Sequence, residues 1–165
     1  MSTLAAPSPA LTAPPEAVQL ESADPLAVEL AASFLTEESA RGGAAAARYL
    51  ESDPRVYEVW LGGAWVGLAR PDGSPAAGGA YRRYDPTTAE LAQLWTRPEL
   101  RRTGLAMRVL GELEELAVRA GYARMYAVAE PGQNEVRALL DAAGYDPLGP
   151  PELGYLGFVR ALGAF

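Results

Sequence analysis

The amino-acid sequence predicts an α/β (α+β) fold built around one mixed sheet, and three observations carry that prediction. A run of strand-like segments occupies the middle of the chain, with Asp72-Gly73 as a hairpin turn between apolar stretches. From Gly104 to Ala120 the apolar spacing changes to that of a helix. Strand and helix patterns then alternate, and a strand-helix-strand unit implies a parallel strand pair flanking the helix.

Residues 1 to 15, MSTLAAPSPALTAPP, lack a basic segment and a sustained apolar run, so they read as a disordered tail rather than a secretory signal. Residues 16 to 165 read as a single domain. Ala17 to Leu20 is a short strand, and Ser22 and Asp24 are cap candidates for a helix through Leu26, Leu30, Phe34 and Leu35. A second helix is expected from Gly43 to Leu50. Val56 to Leu61 and Trp65 to Ala69 are strand-like runs separated by Gly62-Gly63, and strands follow at Pro75 to Tyr84 and Ala89 to Thr96. In the helix of Gly104 to Ala120, Ala106, Leu110, Leu113 and Ala117 share a side. A charged stripe offers the pairs Arg108 with Glu112 and Glu115 with Arg119, and Gly121 closes the helix. Met125 to Ala129 is a strand, Asn134 to Ala143 a helix stopped by Gly144, and Tyr155 to Leu162 the last strand.

Composition narrows the chemistry. The 165 residues are 49% hydrophobic, enough for one core of ordinary domain size, and no apolar run reaches the length of about 18 residues that spans a bilayer. A net charge of −7 with 14 scattered basic residues offers no footprint for nucleic acid or an anionic membrane, so a soluble cytoplasmic protein is expected. Without cysteine or histidine there is no thiolate metal site and no imidazole base, and no metal is expected. Every basic residue is arginine, which excludes lysine Schiff-base and P-loop mechanisms. Acid-base chemistry therefore falls to carboxylates, tyrosines, water or backbone.

The most informative segment is Leu94 to Ala106, LWTRPELRRTGLA. Pro98 stops a strand, and a loop bearing Arg101, Arg102 and Gly104 runs straight into a helix whose first N–H groups lack partners. The helix start at Thr103 to Ala106 suits a phosphate, and arginine adds charge-assisted bonds. The same pattern also describes a solvated connection.

The segment resembles the pyrophosphate motif (Q/R)xxGx(G/A) of the GNAT N-acetyltransferase family, met here by Arg101, Gly104 and Ala106. AELAQLWTRPEL, GLAMRVLGELEELAVRAGY, RMYAVAEPGQNEVRALLDAAGY and GYLGFVRAL are similar to that family's successive strand, helix, strand-helix and closing strand. The resemblance covers Ala64 to Leu162 well and Ala17 to Leu50 loosely. It implies a GNAT fold: a mixed sheet of six or seven strands, about four helices, and a parallel pair, Glu90 to Thr96 and Arg124 to Ala129, that splays apart. It implies acetyl-CoA as co-substrate, its pantetheine arm against the backbone of Leu94, Trp95 and Thr96. The pyrophosphate would lie on the N–H groups of Arg102, Thr103, Gly104, Leu105 and Ala106. It further implies transfer of the acetyl group to an unidentified amine by direct attack in a ternary complex. Binding of acetyl-CoA without turnover, as a sensor or interaction module, is the alternative.

Glu90 is the candidate catalytic base, because it stands eleven residues before Arg101, where some members carry a catalytic glutamate. A glutamate inside the apolar run AELAQLW would be partly desolvated; the competing reading is an arginine-paired strand residue. Many members carry a tyrosine four residues before the glycine of Gly-aromatic, whereas this chain has Leu140. Tyr126, another tyrosine or water would then protonate the thiolate. Gln133 and Asn134 either bond the pantetheine arm or cap a helix. Glu112, Glu114 and Glu115 read as a solvated face. Trp60, Trp65 and Trp95 are core residues or pocket lining, Trp95 being nearest the motif. Arg82 and Arg83 read as a solvated hairpin end, or as contacts to an acidic acceptor or a second subunit, with a homodimer as the assembly left open.

Overall fold

A computed structural model describes residues 15–42, 44–149 and 156–163, with nothing stated of the side chains at 44 and 45. The expected tail up to residue 14, and the expected strand residue Tyr155, lie outside the described residues.

Strand β1 (Val18–Leu20) leads to helix α1 (Pro25–Arg41). Pro25 is pre-set for a first turn, and the Asp24 carboxylate accepts from the Leu26 N–H at 2.9 Å, so the cap is Asp24 and not Ser22. Gly42, at φ 70°, ends the helix in the left-handed region. After α2 (Ala44–Glu51) the chain forms an antiparallel meander of β2 (Ala64–Ala69), β3 (Pro75–Asp85) and β4 (Thr88–Thr96). Helix α3 (Leu105–Arg119) then crosses to β5 (Arg124–Ala129), which runs parallel to β4. Helix α4 (Asn134–Ala142) and the antiparallel pair β6 (Asp146–Leu148) and β7 (Leu156–Ala161) complete the order β1-β2-β3-β4-β5-β7-β6. This is the GNAT arrangement the sequence predicts, a seven-stranded mixed sheet with one parallel pair and four helices.

The sheet buries apolar side chains on both faces. Against one face, Val109, Leu110, Leu113 and Ala117 of α3 and Leu140 of α4 meet Val66, Leu68, Tyr81, Met125 and Phe158. Against the other, Leu30 of α1 joins Leu20, Tyr57, Trp65 and Ala80. Adjacent Trp65 and Val66 thus serve opposite cores, as the two-residue period of a strand requires.

Two features of β4 open the sheet at its centre. Its pairing with β3 skips Ala92, since Ala80 faces Gln93 while Tyr81 faces Leu91, and such a bulge bends a strand. Its pairing with β5 covers only Thr88 to Leu91 against Arg124 to Ala127. Beyond that seam the two strands part.

Four expectations need correction. Val56 to Leu61 lies in two 3-10 turns, Pro54–Tyr57 and Val59–Leu61, because Asp53 caps the first and Gly62, at φ 89°, stops the second. Only Tyr57 of that stretch is buried, so no strand face forms. The short strand Asp146–Leu148 replaces an expected connection. Arg119 pairs with Glu115 at 3.3 Å, but Arg108 does not close on Glu112. Glu114 is not on a solvated face: its carboxylate sits against Arg160 at 2.5 Å, and burial pushes it above the ordinary range although Arg160 pulls the other way. Among the described residues, no helix is long and apolar enough to cross a membrane.

Candidate functional site

The loop after β4 leaves a run of backbone N–H groups without partners among the described residues. Arg102 is a non-glycine residue at φ 62°, and Gly104, at φ 86°, caps α3 without a side-chain hydrogen bond. Left-handed residues in such a turn bring successive N–H groups toward one side, forming a nest. Among the described residues, no N–H from Arg102 to Gly104 donates to backbone, and the first helical bond runs from Arg108 N to Gly104 O at 3.1 Å. The N–H groups of Leu105, Ala106 and Met107 are therefore left over at the positive end of the helix dipole. A Cβ built on Gly104 meets nothing within 4 Å, so the nest opens onto space.

That space is a cleft of about 540 Å³ between α1, β4, the nest and α4. Leu94, Trp95, Thr96, Arg101, Arg102, Gly104, Leu105, Ala106 and Asn134, all singled out from sequence, line it. Thr103 does not; its hydroxyl donates to Leu100 O at 2.6 Å and steadies the turn. Arg101 spends its side chain on the protein, donating Nε to Thr96 O at 3.0 Å and Nη2 to both oxygens of Glu37, at 2.7 and 2.6 Å. Burial alone would raise the Glu37 carboxyl, but Arg101 and Arg41 together hold it below its ordinary value. Gln133 turns away from this cleft. Its Oε1 accepts from Glu130 N at 2.9 Å and its Nε2 donates to Glu38 Oε2 at 3.1 Å, so neither it nor Asn134 caps α4 by its side chain.

Where β4 and β5 part, the cleft adjoins a chamber of about 70 Å³ bounded by Glu38, Tyr57, Arg82, Glu90, Gln93 and Gln133, among others. Phe34, Glu38, Leu94 and Val136 border both spaces. Glu90 faces the chamber and accepts from Arg82 Nε at 2.9 Å, while Arg82 Nη1 donates to Ser52 Oγ, also at 2.9 Å. Arg82 is thus a site residue and not a solvated hairpin end. Beyond it lies an open groove of about 480 Å³ that shares Arg48, Arg82, Glu90 and Val128 with the chamber and adds Arg83, Tyr84 and Tyr126. Tyr126 is the Cα partner of Glu90 across the seam, and burial raises its phenol, with the Glu90 charge adding to the rise.

Of the tryptophans, Trp95 lines the cleft, Trp65 is buried and Trp60 is 70% exposed. Leu140 is wholly buried in the core and borders neither cleft nor chamber. Sequence reasoning passed over Glu37 and Glu38. Glu38 carried a signal: Leu30, Phe34 and Glu38 follow at intervals of four, which places a carboxylate on the buried stripe of α1.

Comparison with known proteins decides the family. A model described as the Acetyltransferase (GNAT) family matches residues 29–145. The chain belongs to the GNAT acetyltransferase family. The GNAT fold is shared with a GNAT-family acetyltransferase of Staphylococcus aureus, at 12% identity over 90% of this chain and 100% of that one, with a TM-score of 0.69. It is shared with a phosphinothricin acetyltransferase of Sinorhizobium meliloti solved with AcCoA, at 19% identity over 89% of each chain and a TM-score of 0.66. An aminoglycoside 6'-acetyltransferase type Ii is likewise similar, at 17% identity over 91% of this chain and 99% of that one, with a TM-score of 0.68. No curated protein sequence matches this one. At such identities the likeness of these GNAT structures is one of fold.

Proposed function

We propose that this GNAT domain, a single domain over residues 16 to 165, is an acetyl-CoA-dependent N-acetyltransferase acting on an amine in the cytoplasm. The observation that carries the reading is the nest of unbonded N–H groups from Arg102 to Met107, opening onto a cleft that leads to the gap between β4 and β5. The residues fit the co-substrate: a nest at a helix start takes a diphosphate through backbone alone, and β4 past the seam has a backbone edge no strand covers. In this proposal the N–H groups of Arg102 to Ala106 hold the pyrophosphate, and the backbone of Leu94 to Thr96 pairs with the pantetheine arm. Asn134 lies along its path, and Gln133 acts from the chamber side. Acetyl-CoA supplies the activated acyl group.

The chain's own part is to bring an amine to the thioester carbon from the chamber side and to take up its proton. Glu90, at the chamber wall, is the proposed proton acceptor, directly or through a water, and Arg82 fixes its orientation. The new C–N bond forms as the C–S bond breaks, and the departing sulfur takes a proton from Tyr126 or water. Backbone N–H groups of the β4 bulge region are the proposed donors to the oxyanion. Leu140 favours a second reading, binding without turnover, because a leucine standing where the family resemblance expects a tyrosine has no proton to give.

The test is calorimetry with acetyl-CoA on wild type and Gly104→Glu, joined to a free-thiol assay across a panel of amines. Gly104 has open space around it, so the variant places a carboxylate in the nest without a steric clash, and Gly104→Asn, an uncharged residue that tolerates φ near 86°, is the control for backbone strain. We expect at least a hundredfold loss of acetyl-CoA affinity in a folded variant. Unchanged affinity overturns the reading. Tight binding with no amine consumed selects the second one.

A further inference from the structure

Among the charged and amide side chains around the chamber, two stand apart from the rest. Arg82 is matched by Glu90 at 2.9 Å and Arg48 by Glu130 at 2.5 Å. Glu38, 6% exposed, accepts from the neutral amide of Gln133 at 3.1 Å, and among the described residues no cation lies within ion-pair distance of it. Gln93, 2% exposed on the adjacent strand, has neither its amide nitrogen nor its oxygen hydrogen-bonded. Tyr57 stands beside it: burial pushes that phenol up, and the Gln93 amide and Arg82 pull it back, without a hydrogen bond of good geometry to either amide atom. A buried carboxylate without a cation and a buried amide without a partner each cost free energy. Both border one chamber. A single ligand group serves the Glu38 carboxylate and the Gln93 oxygen together, since an ammonium offers three donors and a positive charge.

The chamber also limits what carries that ammonium. Its roughly 70 Å³ compares with about 10–15 Å³ for one water on the same scale, so it holds roughly five to seven groups of that size: an ammonium on a short chain fits, and a larger acceptor does not lie wholly inside. The remainder of the acceptor must extend into the outer groove past Arg82 and Val128.

We propose that Glu38 and Gln93 form the ammonium subsite for a primary-amine acceptor. The proposal rests on the N-acetyltransferase reading, and it assigns Glu38 to binding the amine while Glu90 takes its proton.

The test is calorimetric titration of the full chain, with and without saturating CoA, using n-butylamine and the uncharged 1-butanol of the same shape as probes. The same titrations are made on Glu38→Gln and Gln93→Leu. We expect n-butylamine to bind at least tenfold more tightly than 1-butanol, and each substitution to weaken n-butylamine at least tenfold without weakening CoA. Gln93→Leu should also raise the melting temperature, because it removes an unsatisfied buried amide; that readout stands even if Glu38→Gln fails to fold. Equal binding of the amine and the alcohol, no binding of n-butylamine, or unchanged affinity in both variants overturns the subsite. Should n-butylamine bind as expected and never be acetylated, the subsite stands and the transferase reading falls.

Discussion

Glu37 and Glu90 are both held by arginines, yet removing each charge should have opposite consequences. Glu37 ties α1 to the loop through Arg101 and faces the cleft proposed for an anion. Glu37→Gln should therefore tighten acetyl-CoA several-fold, by removing a like charge and freeing Arg101. The stability cost should be about 1 kcal/mol or less, since the pair is partly exposed, and calorimetry and thermal melts read the two effects. The pH dependence follows from the lowered Glu37 carboxyl: its contribution is complete above the ordinary value near 4.5 and is lost as pH falls through the lower folded value. The melting-temperature difference between wild type and Glu37→Gln should thus shrink on acidification below about pH 4.5 and stay constant above it. Glu90→Gln should instead leave acetyl-CoA affinity intact, lower kcat on the order of a hundredfold, and flatten the acidic limb of kcat against pH. Wild-type turnover across that range would make Glu90 a strand residue paired to Arg82 and nothing more.

Helices and long strands were legible because their apolar spacing is regular. The α3 stripe of Leu110, Leu113 and Ala117 is buried as expected, and the loop ahead of it was flagged by Pro98 and Gly104. Val56 to Leu61 misled for a definite reason: its residues have strand propensity, but Pro54 and the Asp53 cap start a turn there, and local hydrogen bonding overrides propensity. Strand β6 was invisible because a three-residue segment containing Pro147 has no periodicity to display. The glycines of β3 were likewise mute in sequence. A Cβ on Gly79 would stand 2.7 Å from the Gln93 carbonyl oxygen and 3.2 Å from Leu113 and Leu94, so only glycine lets β3, β4 and α3 approach this closely. Gly79→Ala should cost about 1–3 kcal/mol and weaken acetyl-CoA binding as well, because the displaced neighbour is the strand that borders the cleft. Denaturant melts and calorimetry on one variant test both halves; a stable variant with normal affinity would show that β4 does not transmit the strain.

Across the molecule, the half of the site proposed for the anion was readable because it rests on a contiguous loop and helix start. The acceptor half was not, because α1, β3, β4 and the start of α4 supply it from positions as far apart as Glu38 and Gln133, which meet only after folding. The seam between β4 and β5, four residue pairs long, makes that meeting possible and then leaves the rest of β4 without a neighbour on one side. Bare strand edges invite other chains to add on, and proteins blunt them. Here the margins are three-residue strands, β1 and β6, the latter interrupted by proline. The longer bare stretch of β4 is set inside the sheet, where β5 and α4 leave a slot rather than an open rim. The recess proposed for acetyl-CoA thus also sets the bare edge back from the rim, where edge-to-edge pairing with another chain would begin.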